Sequence, residues 1–146
     1  SVIKSNNNRS YLLLKRVFNI LNNNVRNKKI CFLGVTFKAN TDDMRDSSCL
    51  SMIPSLVKKG AKINYFDPTG KKNDFNKIKN VTFSNDVKSA IEKADLIIIH
   101  TEWNDFKSIN FKKDVKNKNY KIFDMRNIYS PKKMKELNIK YFAIGC

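Results

Sequence analysis

The chain has 146 residues, 41% of them hydrophobic, and a formal net charge of +16, which is enough for one real core and favours a single domain. Its three cysteines, Cys31, Cys49 and Cys146, are odd in number, form no CxxC pair and have only one histidine for company, which excludes a disulfide framework and a structural zinc site, so no metal is expected. No apolar run exceeds four residues, so neither a membrane span nor a signal-peptide core is expected, and the thiols read as reduced in a cytoplasmic protein.

Clustered lysine and arginine would give affinity for polyphosphates through counterion release. Here the lysines are scattered over the whole text, and asparagine runs such as "SNNNRS" and "ILNNNVRNKK" accompany them. That pattern reads as a solvated surface and a coding bias rather than a specific nucleic-acid face. Lysine outnumbers arginine 24 to 5, so an arginine in a loop, such as Arg45 or Arg126, carries more information than a lysine.

In chain order, Leu14, Val17, Phe18 and Leu21 make one helical face, with Ser10 available as its N-cap and no evident partner for the apolar stripe. "KICFLGV" reads as a strand, and "SSCLSMIPSLVKKG" as a helix stopped by Gly60. Pro54 fits that helix only within a first turn beginning near Ser51. "AKINYFDP" is a second strand closed by an Asp-Pro turn at Asp67, "VTFSND" a short third, and "DVKSAIEKA" a helix. "DLIIIHT" has no polar alternation, as a strand buried on both faces requires. "YKIFDMRN" and "IKYFAIG" complete the strands, with "SPKKMKELN" a helix between them and Pro131 in its first turn. Alternation of this kind predicts an α/β fold: a Rossmann-like, doubly wound parallel sheet of about six strands, preceded by an N-terminal helix.

In open sheets of this class, ligands sit outside the carboxyl ends of the strands. "GVTFKANTDDMRDSSCL" leaves the first strand at that edge carrying Lys38 and Arg45, and Arg126 follows "KIFDM" at the same edge. Near a helix start, whose N–H groups favour anions, these cations suit a diphosphate, with Thr41, Asp42 and Asp43 bracing the loop. On the other reading, the same charges pair among themselves on a wet loop. Only Gly34 follows the strand, so no GxGxxG dinucleotide fingerprint is present. His100 ends a buried strand with no carboxylate or cysteine spaced to make it a base or ligand.

The segments "LGVTFKANTDDMRDSS", "YFDPTG", "TEWNDF", "IFDMRNIY" and "YFAIG", in that order, closely resemble the C-terminal, UDP-sugar-binding domain of the UDP-glucose/GDP-mannose dehydrogenase family, in particular of its UDP-glucose 6-dehydrogenases. The resemblance covers about Lys28 to Cys146. It implies a division into residues 1–27, the end of an interdomain and dimerisation helix with its linker, and 28–146, the UDP-sugar-binding domain. By motif position it implies that Phe37, Lys38 and Arg126 contact the substrate and that Arg45 reaches NAD across a domain cleft. Trp103 and Phe106 match a family signature, which burial beneath the loop explains equally well. The family's activity is NAD-dependent oxidation of UDP-glucose to UDP-glucuronate, in a homodimer whose N-terminal and central domains supply the NAD site and the catalytic cysteine. None of the cysteines here stands in the matching setting, so no catalytic residue is assigned and the chain, as a fragment or separated half, is expected to be inactive alone. Alternatives are a dehydrogenase of another nucleotide sugar, such as UDP-N-acetylmannosamine, a basic nucleic-acid-binding module, and a purely dimerising element.

Overall fold

The computed structural model describes residues 2–144, with side chains for 8–144; Cys146 lies outside the described residues. Six strands, β1 (Lys29–Leu33), β2 (Lys62–Phe66), β3 (Val81–Phe83), β4 (Leu96–Ile99), β5 (Lys121–Asp124) and β6 (Lys140–Ala143), form one sheet in the order β3-β2-β1-β4-β5-β6. Every neighbouring pair is parallel. The fold is therefore the Rossmann-like α/β sheet the alternation predicts. The chain winds outward from β1 to β3, then returns to lay β4 on the other side of β1. That reversal opens a crevice between the carboxyl ends of β1 and β4.

Burial explains the strand sequences. β4 is the most apolar strand because it lies between β1 and β5 with both faces covered, and all four of its residues are buried. β3, at the sheet edge, buries none of its three residues fully. One face of the sheet presents Ile30, Phe32, Ile63, Tyr65, Leu96, Ile98 and Phe123 to a core shared with α1 (Val2–Ile20) and α2 (Cys49–Lys58). The other face, including Cys31, Leu33, Ile97, Ile99 and Ile122, packs beneath α3 (Val87–Ile91), α4 (Phe111–Asp114), α5 (Pro131–Glu136) and the buried pair Trp103 and Phe106. α4 is a single turn, too short to leave a periodic signature.

Three local readings change. α1 begins at Val2, so Ser10 is buried inside the helix instead of capping it. Asparagine and serine sit only some tenths of a kcal/mol below alanine in helix propensity, roughly 0.5 kcal/mol each, too little to stop a helix whose other half is docked. The apolar stripe finds its partner within the chain, with Leu13, Val17, Ile20 and Leu21 buried in the same core as Met52, Ile53 and Leu56. Arg16 and Lys121 fasten the helix to the sheet: Arg16 Nη2 donates to the Ala143 carbonyl at 3.1 Å while its guanidinium stacks on Phe123, and Lys121 Nζ donates to the Ile20 carbonyl at 2.9 Å. α2 starts two residues before Ser51, which puts Pro54 inside it, past the first turn. The helix forgoes one bond there, and burial of Met52, Ile53 and Leu56 around the proline holds it.

The asparagine bias has a structural use. Asn22, Asn23, Asn27, Asn40, Asn80, Asn127 and Asn138 all have positive φ, as does Asp46. In a chain with four glycines, asparagine takes over the left-handed turn positions, where its short amide tolerates the conformation best after glycine.

Candidate functional site

The loop after β1 is built on buried anchors. The Val35 N–H donates to Asp67 Oδ2 at 2.9 Å, joining the ends of β1 and β2, and Asp67 Oδ1 accepts from the Thr69 N–H and hydroxyl. Asp67 thus closes its own turn, as the Asp-Pro sequence suggests, and also ties down the neighbouring loop. Its oxygens are spent inside the fold. Together with the single glycine after β1, this leaves a crevice that does not fit a dinucleotide, which would need a free ribose-binding acid there.

Gly34 is required where it stands. Its φ is +78°, and a Cβ would lie 2.5 Å from the Thr101 Cβ. This close approach brings the loops after β1 and β4 together. The Thr36 hydroxyl donates to the Lys38 carbonyl at 2.9 Å, and the Phe37 N–H to the Asp43 carbonyl at 3.2 Å, so the excursion that carries Phe37 and Lys38 is pinned at both ends.

Asp124, at the end of β5, is fully buried and organises the facing loop. It accepts from the Arg126 N–H at 3.1 Å, the Tyr129 N–H at 3.1 Å and the Tyr141 hydroxyl at 2.7 Å. Arg126 then points its Nε at Glu102 Oε2, while Glu102 Oε1 accepts from the Ala39 N–H at 3.4 Å. The guanidinium beside Glu102 holds that carboxyl below the usual range. Glu102 lies within "TEWNDF", where the sequence gives only the aromatic pair a meaning. Its role emerges when the β4 and β5 loops become neighbours. Trp103 and Phe106 are buried, as the packing explanation requires.

These loops and α1 enclose a cleft of about 430 Å³ lined by Arg9, Phe37, Lys38, Ser48, His100 and Arg126, among others. Its size lies in the range of small-molecule sites, ~300–1,000 Å³. Phe37, Lys38 and Arg126 are brought together. Arg9, which no motif in the sequence marks, joins them from α1, and Asp46 also lines the cleft, leaving the group strongly cationic. A second cavity, of about 480 Å³, lies toward the amino ends of β1 and β2, where Asn64 is engaged by Ala90 and Ser84 and no arginine converges.

Arg45 does not join the cleft lining. It forms a side-on bidentate pair with Asp43, Nε to Oδ1 and Nη2 to Oδ2 both at 3.0 Å, with 88% of its side chain exposed. For this arginine the charges of the loop do pair among themselves. Thr41 braces Asp43 through its backbone N–H, as expected, but Asp43 also takes the arginine. The helix start differs from expectation too. The N–H groups of Cys49, Leu50 and Ser51 are consumed by Ser47 and Ser48, so the cations carry the positive field of this edge.

His100 forms part of the cleft lining, with Nε2 at 2.8 Å from Ser48 Oγ and Nδ1 at 3.1 Å from Thr101 Oγ1. Burial, helped by the Arg126 charge, pushes its pKa down to about 3, so the ring is neutral at pH 7. Among the described residues, no group of three or more His, Cys, Asp or Glu side chains could hold a metal, and no helix is long and apolar enough to cross a membrane. Cys31 and Cys49 are fully buried, and burial pushes both thiols up, away from the reactive thiolate.

Residues 31–131 match the UDP-glucose/GDP-mannose dehydrogenase family, UDP binding domain. The chain belongs to that family. It is 34% identical to the UDP-glucose 6-dehydrogenase of Rickettsia prowazekii, over 99% of this chain and 34% of that protein. It is 33% identical to the UDP-glucose 6-dehydrogenase of Rhizobium meliloti, over 99% of this chain and 33% of that protein. The chain therefore spans about a third of the length of these curated relatives. In fold it is similar to a UDP-glucose dehydrogenase from Pyrobaculum islandicum, with a TM-score of 0.73, 22% identity and coverage of 96% of this chain and 30% of the other. It is likewise similar to an NDP-N-acetyl-D-galactosaminuronic acid dehydrogenase from Methanosarcina mazei, with a TM-score of 0.75, 22% identity and coverage of 94% and 28%. Within this dehydrogenase family the chain is a UDP-binding domain, and its cationic cleft lies at the sheet edge where such folds hold ligands.

Proposed function

We propose that this chain is the UDP-sugar-binding, C-terminal part of a UDP-glucose 6-dehydrogenase, with Phe37, Lys38 and Arg126 as its substrate contacts. The observation that carries the reading is the convergence of Lys38 and Arg126, 88 positions apart in the sequence, on one cleft at the carboxyl edge of the sheet. Arg126 supplies planar donors in a fixed orientation and Lys38 a mobile point charge, a combination suited to a diphosphate. Phe37, half exposed at the rim, offers an apolar face beside them. The names of the two curated relatives above, both UDP-glucose 6-dehydrogenases, support the choice of sugar nucleotide.

In the whole enzyme, residues 28–146 would form this domain and residues 1–27 the end of an interdomain and dimerisation helix, with its linker, leading into it from the N-terminal and central domains. NAD is assigned to those domains, with Arg45 as the contribution of this chain, exposed and able to exchange Asp43 for a phosphate. The catalytic cysteine is assigned there as well, since Cys31 and Cys49 are buried and no cysteine of this chain stands in the family's matching setting. This chain contributes binding energy that orients the reacting centre, and by itself it is inactive. The assembled enzyme is proposed to be a cytoplasmic homodimer. Exposed Tyr11 and Leu12 on α1 are apolar surface available to a second subunit.

Titration with UDP-glucose, UDP, UDP-N-acetylmannosamine and an unrelated oligonucleotide at two salt concentrations tests the reading. Saturable UDP-glucose binding with modest salt dependence, weakened by Lys38→Ala, is the expected result. Preference for the acetylated sugar would move the chain to a sister activity. Tighter oligonucleotide binding that collapses with salt would replace the reading altogether.

A further inference from the structure

A serine hydroxyl has one proton to give and two lone pairs to receive with, and its neighbours decide which of these faces a ligand. At Ser48 the decision can be followed atom by atom. Thr101 Oγ1 donates its proton to the Thr36 carbonyl at 3.0 Å, so toward His100 it can only accept. His100 Nδ1, 3.1 Å away, therefore carries the ring proton and donates it. The neutral ring has no second proton, so Nε2 presents a lone pair to Ser48 Oγ at 2.8 Å, and the serine hydroxyl must point its hydrogen inward. The proton sequence runs Ser48 to His100 to Thr101 to the Thr36 carbonyl.

Ser48, although it precedes α2, makes no side-chain capping bond, because its backbone is already helical (φ −64°, ψ −20°) and its hydroxyl is turned toward His100, not toward the helix N–H groups. Ser48 and His100 both line the cleft that holds Lys38 and Arg126, so what remains for a ligand at Ser48 is lone pairs alone. A phosphate oxygen, itself an acceptor, gains nothing there. A nucleophilic role fails on the same geometry, because the imidazole is too weak a base to remove the serine proton near neutral pH.

The geometry points to Ser48, oriented by His100, as an acceptor-only contact that reads a hydroxyl of the bound ligand and so favours a sugar nucleotide over phosphate groups alone. This inference rests on the UDP-sugar reading and adds to it a specificity-determining residue with a positioning residue behind it.

His100 is the chain's single histidine, so the imidazole nitrogens give one unambiguous pair of 15N signals. In the wild-type chain at pH 7, Nδ1 is expected to appear protonated and Nε2 bare, and to remain so at saturating UDP-glucose. Ser48→Ala is expected to weaken UDP-glucose about five-fold, the value of one neutral hydrogen bond, while inorganic pyrophosphate changes less than about two-fold and Ser48→Thr restores the sugar nucleotide. A proton on Nε2, or equal weakening of pyrophosphate and UDP-glucose by Ser48→Ala, would overturn the inference. If Lys38→Ala still weakened UDP-glucose in that case, the UDP-sugar reading would stand without it. Failure of the wild-type chain to bind UDP-glucose saturably would remove the reading and the inference together.

Discussion

Arg126 is held through its Nε by Glu102, a residue 24 positions earlier in the loop after the adjacent strand. One edge of the guanidinium is committed to the fold, which leaves the terminal nitrogens for the cleft that Arg126 lines. Glu102 also receives the Ala39 N–H, so one carboxylate sets the spacing between the Lys38 loop and Arg126.

Replacement of Arg126 by lysine keeps the charge and loses the planar fork. UDP-glucose affinity is expected to fall about ten-fold in a calorimetric titration, near the value of one charge-assisted hydrogen bond. Glu102→Gln should weaken binding less, about three-fold, by loosening the arginine without removing it. Unchanged affinity in both variants would separate Arg126 from the ligand.

Arg45 behaves differently because its guanidinium is turned to solvent against Asp43. Arg45→Ala is expected to leave the urea midpoint and UDP-glucose affinity of this chain at wild-type values. Any loss would appear only in the whole enzyme, as a raised KM for NAD. A drop in UDP-glucose affinity in the isolated chain would instead place Arg45 at the cleft.

Gly34→Ala combines an unfavourable positive φ with a methyl group driven into Thr101. Together these are expected to cost about 3 kcal/mol, read as a lower urea midpoint at unchanged m-value. A loss below about 1 kcal/mol would mean that the loops after β1 and β4 part easily.

Asp124→Asn replaces one acceptor oxygen with an amide donor among three donors already in place. Stability is expected to fall by about 2–3 kcal/mol, and UDP-glucose affinity with it, because the loop carrying Arg126 loses its anchor. Retention of both in thermal and binding measurements would show that Tyr129 and Tyr141 hold that loop without the carboxylate.

Stability should also depend on pH in a window belonging to His100. Its pKa is lowered from 6.5 to about 3 by burial and the Arg126 charge, so below pH 6.5 the unfolded chain takes up a proton that the folded chain refuses. Stability is thus complete above about pH 6.5 and declines as pH falls, by about 2 kcal/mol at pH 5. Glu102, whose carboxyl is held low by Arg126, adds to the loss only at still lower pH. Urea denaturation at pH 7 and pH 5 measures the slope, and His100→Gln should flatten it over that interval.

Much of the fold was legible because burial writes itself into strand composition. The run of Leu96 to Ile99 announces a strand covered on both faces, and it lies between β1 and β5. Pro54 and Ser10 misled for one shared reason: local propensities of a kcal/mol or so yield to the docking of a whole helix face. The asparagines, which look like compositional noise, mark left-handed turns that glycine takes in other chains.

By itself the sequence determined the alternation of strands and helices, the family motifs and the placement of Phe37, Lys38 and Arg126 at strand ends, since these depend on local pattern and chain order. Only the tertiary structure decided the strand order, the engagement of Arg45 by Asp43, the recruitment of Arg9, the bracing by Glu102 and the proton direction from Ser48 to Thr36. Each of those joins side chains from separate loops or fixes a rotamer, and a hydrogen bond exists only once both partners share a place and an orientation.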